Sequence, residues 1–190
     1  MFKYWTKIVV GLFISLLINQ STFADTQNNQ VTVSRPKPNC LYLNFSISPP
    51  VALYQALLPK QSFPDFVMYL ANTSIQDFEN NLKKAILSIE KKSTITNQDG
   101  SQIRLLNWQW PVTQAWQKSF KEQEILFISG TNSQGHPSYV DIKAEACSKR
   151  PIHRVQLSFH QAFYPLYVTI SPTDQFWLTE QIPFAIADFF

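Results

Sequence analysis

The stretch from residue 74 to residue 92 reads SIQDFENNLKKAILSIEKK and carries the strongest structural signal in the chain. Ser74 can cap a helix, and Asp77 falls in the first turn, where the helix dipole favours a carboxylate. Lys91 and Lys92 stand at the other end, where the dipole favours cations. The apolar residues recur at three- and four-residue spacing, as in a helix with one buried face. They are Ile75, Phe78, Leu82, Ala85, Ile86 and Ile89. This stretch predicts one main helix.

Alternating apolar and polar residues predict strands on both sides of this helix. In residues 40–48 and 139–147 every second residue is apolar, which is the pattern of a strand with one buried face. The inward residues expected there are Leu41, Leu43, Phe45, Ile47, Val140, Ile142, Ala144 and Ala146. Residues 152–160 alternate in the same way, and further strands are predicted over residues 101–110 and 164–170.

Other segments are assigned from composition. Residues 51–58 suit a short helical turn, and residues 113–122 a second short helix. Residues 124–129 are apolar on both faces, which suits a central strand, joined through a polar loop to strand 139–147 as a hairpin. Residues 175–190 are left unassigned. The predicted fold class is α+β, a mostly antiparallel sheet with one main helix packed on a face, in a single domain over residues 40–190.

The amino terminus predicts export. Residues 1–24 have the order of a signal peptide: the positive Lys3 and Lys7, an uncharged apolar run, and small residues before a cleavage site at Ala24. The apolar run is shorter than the ~20 residues that span a bilayer. We therefore expect a periplasmic or secreted protein whose mature chain has no transmembrane segment. Residues 25–39 are polar and predict an extended or disordered lead-in, with ordered structure beginning at Cys40.

The charge balance argues against nucleic acid as a partner. The chain has 16 basic and 13 acidic residues, a formal net charge of +3. Two of the lysines belong to the predicted leader, so the mature chain is close to neutral. A near-neutral chain lacks the positive field that draws proteins to phosphate backbones.

The two cysteines predict a disulfide. Cys40 and Cys147 both fall on the polar parity of their strands, each at a strand end. In an oxidising compartment such a pair suits a covalent link between neighbouring strands. A reactive thiol is the alternative, although neither cysteine lies in a Cys-x-x-Cys motif.

No cofactor or metal site is predicted. His153 and His160 are seven residues apart in one predicted strand, so they would point to opposite faces and could not share a metal. The sequence contains no Gly-x-Ser-x-Gly elbow and no phosphate-binding glycine loop.

Trp108, Trp110 and Trp116 form the candidate ligand or partner surface. In a strand, Trp108 and Trp110 share one face, where exposed indoles could stack on sugars or bases; core packing is the other interpretation.

The sequence favours a non-catalytic exported domain that binds a protein or cell-envelope ligand. The alternative is a hydrolase acting on envelope or extracellular polymers, with Asp141, His136 and Glu145 as dispersed acid/base residues; an envelope assembly subunit comes third. A deep pocket with two convergent titratable groups would favour the enzyme, and an aromatic patch around Trp108 would favour binding.

Overall fold

A computed structural model of the chain describes residues 28–130, 138–171 and 174–189. The predicted signal peptide and most of the polar loop at residues 130–137, with His136, lie outside the described residues. In chain order the strands are β1 (Asn29–Lys37), β2 (Cys40–Ile47), β3 (Thr94–Asn97), β4 (Gln102–Ile103), β5 (Leu105–Gln109), β6 (Val140–Cys147), β7 (Arg154–Ser158), β8 (Leu166–Ile170), β9 (Asp174–Leu178) and β10 (Phe184–Asp188). The helices are α1 (Pro49–Leu57), α2 (Phe63–Asn72), α3 (Ile75–Lys92) and α4 (Thr113–Ser129), with a 3₁₀ turn at Gln161–Phe163.

The strands form two sheets. The larger has six strands in the order β5-β6-β2-β1-β8-β9, and the smaller has four in the order β10-β7-β3-β4. All pairs are antiparallel except β1 with β8, which is parallel. The prediction of a mixed fold with mostly antiparallel strands is confirmed. The prediction of one main helix on one sheet is wrong, because the described residues contain four α-helices and two sheets.

The helix α3 has the bounds and the cap that the sequence predicts. The Oγ atom of Ser74 accepts a hydrogen bond from the amide of Asp77 at 3.1 Å and donates one to its carboxylate at 2.7 Å. Of the expected apolar face, Phe78, Leu82, Ala85 and Ile89 are buried, whereas Ile75 is exposed.

The first strand corrects the prediction for residues 25–39. The first described strand, β1, already begins at Asn29, so the prediction that ordered structure begins at Cys40 is wrong. The buried side chain of Asn29 explains why so polar a segment is fixed: its amide donates to the carbonyl of Phe163 at 3.0 Å, and its Oδ1 atom accepts from the amide of Ser48 at 2.8 Å. Two long-range hydrogen bonds therefore hold the start of β1. The periodicity of the sequence does not reveal such contacts.

Residues 124–129 correct a second prediction. They form the last turns of α4, and not a strand, so the predicted hairpin with residues 139–147 is also wrong. Strand β6 pairs instead with β2 and β5. Ile125 and Ile128 are 64% and 71% exposed. A short run that is apolar on both sides suits a buried strand as well as a helix, and here the helix leaves two of its apolar side chains in solvent.

The disulfide joins Cys40 and Cys147, which lie directly opposite each other on β2 and β6 with their Cα atoms 4.2 Å apart. The expected apolar residues of both strands are buried, so the predicted inward faces are confirmed. The two sulfurs were both expected on the solvent side, but Cys40 is buried and only Cys147 is exposed.

The predicted strand at residues 101–110 divides in two. At Arg104 the chain leaves β4, an edge of the smaller sheet, and continues as β5, an edge of the larger sheet. A continuous cluster of buried apolar side chains joins the inner faces of both sheets to the helices. The segment from Arg104 to Pro111 therefore lies at the rim of the core, where two sheet edges come together.

Candidate functional site

The strand β5 is an irregular edge strand. Its pairing with β6 shifts register between Leu106 and Gln109, and Asn107 within this bulge has a positive φ of 51°. Asn tolerates this left-handed conformation better than most residues. The Nδ2 atom of Asn107 donates to the Oε2 atom of Glu145 at 2.9 Å, which fastens the bulge to β6. Bulges of this kind redirect side chains at sheet edges.

The bulge is followed by a run of stacked aromatic rings. Trp108 stacks on Trp110 with ring centroids 5.3 Å apart and planes 14° apart. On the inner side Trp108 stacks on the buried Phe45, with ring centroids 5.9 Å apart. The ring centroids of Trp110 and Trp116 are 6.1 Å apart. Trp108 and Trp110 therefore share a face, as predicted, but both are half-buried. Trp116 is fully buried, so its predicted place on a ligand or partner surface is wrong: a ring with no exposed area contacts no partner.

The three indole N–H groups have different surroundings. The Nε1 atom of Trp110 donates to the Oε1 atom of Glu90 at 2.8 Å. The Nε1 atoms of Trp108 and Trp116 are buried and have no acceptor among the described residues. A buried donor without a partner costs about 1–3 kcal/mol. The unpaired N–H groups of Trp108 and Trp116 therefore lower the stability of the folded chain.

Residues 104–111 border three grooves. The helix-end groove, about 630 Å³, lies between the end of α3 and strands β4 and β5, and its lining includes Glu90, Lys91, Arg104 and Trp108. The sheet groove, about 420 Å³, lies on the solvent side of the larger sheet beside Asn107 and Gln109. The third groove, about 410 Å³, lies beside Trp110, Pro111, Tyr139 and Asp141.

The predicted acid/base residues are not brought together. Asp141 lines the third groove and Glu145 lines the sheet groove. They are four residues apart on β6, which separates them by about 13 Å at about 3.3 Å per residue. Their partner in the hypothesis, His136, lies outside the described residues. Within the described ranges, no group of three or more His, Cys, Asp or Glu side chains could hold a metal ion.

His160 is a buried polar residue whose structural role the sequence does not reveal. It lies beyond the end of β7 and begins the 3₁₀ turn, so the prediction that it shares one strand with His153 is wrong. Its Nδ1 atom accepts a hydrogen bond from the amide of Ala162 at 2.9 Å, and its Nε2 atom lies 3.1 Å from the Oγ atom of Ser88. Burial, and secondarily the charge of Lys92, lowers the pKa of His160 from 6.5 to about 4. This neutral imidazole joins the 3₁₀ turn to α3, whereas His153 is exposed.

The solvent side of the larger sheet carries a feature that no single segment of sequence reveals. The outward residues of the six strands lie in register and form a polar row across the whole sheet. In spatial order the row is Gln109, Lys143, Asn44, Thr32, Thr169 and Gln175. Alternation gives the outward parity of each strand, but the row requires the pairing between strands.

Comparison of the sequence with protein-family models and with curated proteins finds no match. Within residues 28–130, 138–171 and 174–189, no helix has the length and apolar character needed to cross a membrane.

Proposed function

We propose that the mature chain is a non-catalytic exported domain that binds a protein or cell-envelope ligand at the β5 edge of the larger sheet. One observation carries the proposal: the segment from Arg104 to Pro111, with its stacked Trp108 and Trp110, borders all three grooves described above. Binding residues are commonly found on irregular edges that a rigid scaffold holds in place.

The packing of the edge supports a binding role. Phe45 and Trp116 hold Trp108 and Trp110 from the inner side, and the hydrogen bond to Glu90 fixes the ring of Trp110. A side chain that is already immobile loses little conformational entropy when a ligand arrives. Asn107 and Gln109 are exposed beside the stack and offer amide groups for hydrogen bonds.

The arrangement of titratable groups favours binding over hydrolysis. A pair of catalytic carboxylates in a glycosidase stands about 5–9.5 Å apart across one site. Asp141 and Glu145 are farther apart than this and line different grooves.

Export rests on the leader and is compatible with the disulfide. Disulfides persist in the periplasm and outside the cell and are rare in reducing compartments. The bond between Cys40 and Cys147 would then form after translocation.

Affinity capture tests the proposal. The mature domain, immobilised with its disulfide intact, is exposed to cell-envelope extract, and its capture is compared with that of the Trp110→Ala and Gln109→Ala variants. Gln109 is exposed, so its variant tests the edge without disturbing the core. Phe184→Ala is the matched control, because Phe184 is an exposed aromatic residue on β10 of the other sheet.

We expect the wild type and the control to retain the same ligand and both edge variants to lose most of it. Equal capture by all four proteins would show that the ligand does not bind at β5. Absence of specific capture by the wild type would overturn the binding function.

A further inference from the structure

The solvent side of the larger sheet is wide, polar and open. We call it the outer face; it comprises the polar row and the outward residues on either side of that row. Six strands make five gaps of about 4.8 Å each, so the row spans about 24 Å. The flanking residues are Gln30, Ser34, Tyr42, Ser46, Leu106, Asp141, Glu145, Tyr167 and Trp177. All of these described side chains are exposed or half-buried.

Amides, hydroxyls and aromatic rings make up most of the outer face, which also carries Lys143, Asp141 and Glu145. Five of the six residues in the polar row are uncharged, with Lys143 as the exception. The carboxylate of Glu145 beside the row is engaged by Asn107. The face therefore offers many hydrogen-bond donors and acceptors and little net charge, which complements an uncharged ligand rich in hydroxyl groups.

An aromatic pair lies at the far end of the row. Trp177 is 47% exposed, and its ring centroid lies 4.8 Å from that of Tyr167. Tyr167 also donates a hydrogen bond to the side chain of Gln175, the last residue of the row. Rings held in this way give an apolar surface beside polar groups, and amphipathic contact of this kind is what Trp and Tyr supply at interfaces.

We propose that the outer face binds an uncharged oligosaccharide that lies across the strands along the polar row. The sugar hydroxyls exchange hydrogen bonds with the amide and hydroxyl side chains, and the apolar faces of the sugar rings pack on Tyr42 beside the centre of the row and on Trp177 near its β9 end. The sheet groove beside Asn44 and Gln109 receives part of the chain. The inference rests on the proposed binding function and names the chemical class of its envelope ligand.

Calorimetric titration of the disulfide-intact mature domain tests this proposal. The probes are chitohexaose, cellohexaose and maltohexaose, which are three uncharged hexasaccharides of different linkage or substituent. The variants are Asn44→Ala at the centre of the row and Trp177→Ala at its end. Asn80→Ala is the matched control. Asn80 is also an exposed Asn, but it lies on the helix α3 and belongs to no strand of the larger sheet.

We expect at least one hexasaccharide to bind and each row variant to weaken it about threefold to tenfold, since each removes one or two contacts of ordinary strength. The affinity should stay within about twofold when NaCl is raised from about 0.05 M to about 0.5 M, because an uncharged ligand has no ion pairs to screen.

Failure of all three sugars to bind overturns the inference, as does a loss of affinity at high salt or equal affinity of the Asn44→Ala variant and the wild type. The affinity capture described above separates the two proposals. If the captured ligand is a protein or a charged polymer, the binding function stands and the oligosaccharide inference fails.

Discussion

The Nε1 atom of Trp110 donates a hydrogen bond of 2.8 Å to the Oε1 atom of Glu90, so the last turns of α3 are tied to the chain that leaves β5. Glu90→Ala removes the acceptor and leaves a half-buried indole N–H without a partner. We expect the free energy of unfolding to fall by about 1–2 kcal/mol, measured by urea denaturation.

Glu79→Ala is the control for this change, because the one interaction of Glu79 seen among the described residues is an exposed pair with Lys83 at 3.0 Å on the same helix. That variant should lose no more than about 0.5 kcal/mol. Equal losses in the two variants would mean that the bond to Trp110 contributes nothing beyond a surface charge.

His160 predicts a pH dependence of stability. Its folded-state pKa, about 4, is lower than the unfolded value of 6.5, because burial and Lys92 disfavour the imidazolium. The stabilisation is therefore complete above about pH 6.5 and is lost as the pH falls through that value towards 4, by at most about 3 kcal/mol. His160→Asn keeps a side-chain oxygen that can accept from Ala162 and does not titrate, so its unfolding free energy should fall less between pH 7 and pH 5.

The matched control is His153→Asn, which removes an exposed imidazole. Its unfolding free energy is measured over the same pH range, so that the effect of removing a buried imidazole is compared with that of removing an exposed one. A His160→Asn curve parallel to that of the wild type over this range would contradict the assignment of His160 as the buried group that titrates.

The disulfide predicts a large loss of stability on removal. The bond closes a loop between residues separated by 107 positions. Replacing both cysteines by serine should lower the unfolding free energy by about 2–4 kcal/mol, because the unfolded chain without the cross-link has a higher conformational entropy. Adding a reductant to this double variant should change nothing, and thiol labelling of the unreduced, denatured wild type should find no free sulfur. Labelling of both cysteines there would contradict the bond.

The end of α4 offers a test that separates a helix from a strand. Ile128→Lys should change the unfolding free energy by no more than about 0.5 kcal/mol, because Ile128 is 71% exposed on the helix. In a central strand the same charge would be buried and severely destabilising. Phe120→Ala, in the fully buried part of α4, is the positive control and should lose about 3–5 kcal/mol. If Ile128→Lys lowered the unfolding free energy as much as Phe120→Ala does, the result would contradict the helix and favour a strand at residues 124–129.

The sequence predicts those elements whose periodicity is uninterrupted. Every second residue from Leu41 to Ile47 is apolar, and the same is true from Val140 to Ala146, so both strands and their buried faces follow directly. The cap of α3 follows from Ser74 and Asp77 in the same way. The disulfide follows from the parity of its two cysteines, although the burial of Cys40 does not.

Other features depend on tertiary contacts. The helix α2 begins at Phe63 with Pro64 in its first turn, a position where Pro is tolerated. Pro59 lies only five residues before Pro64, however, and two prolines so close together suggest a loop as readily as the start of a helix. The division of residues 101–110 at Arg104 depends on which sheet each half joins, and the burial of Trp116 depends on the rings around it. The sequence therefore indicates Trp108 and Trp110 as candidate residues and predicts their shared face, but it does not reveal the grooves beside them or the polar row.

The parallel pairing of β1 with β8 places the first described strand beside one that comes near the end of the chain, with Asn29 opposite Leu166. Parallel neighbours so distant along the polypeptide make slow, late-forming contacts. A chain that emerges amino terminus first, from the ribosome or across a membrane, cannot complete the larger sheet until its last strand, β9, which ends at Leu178, is free. Until then the apolar side of β1 and β2 lacks part of its native packing, and partly folded chains with exposed apolar surface are prone to associate with one another.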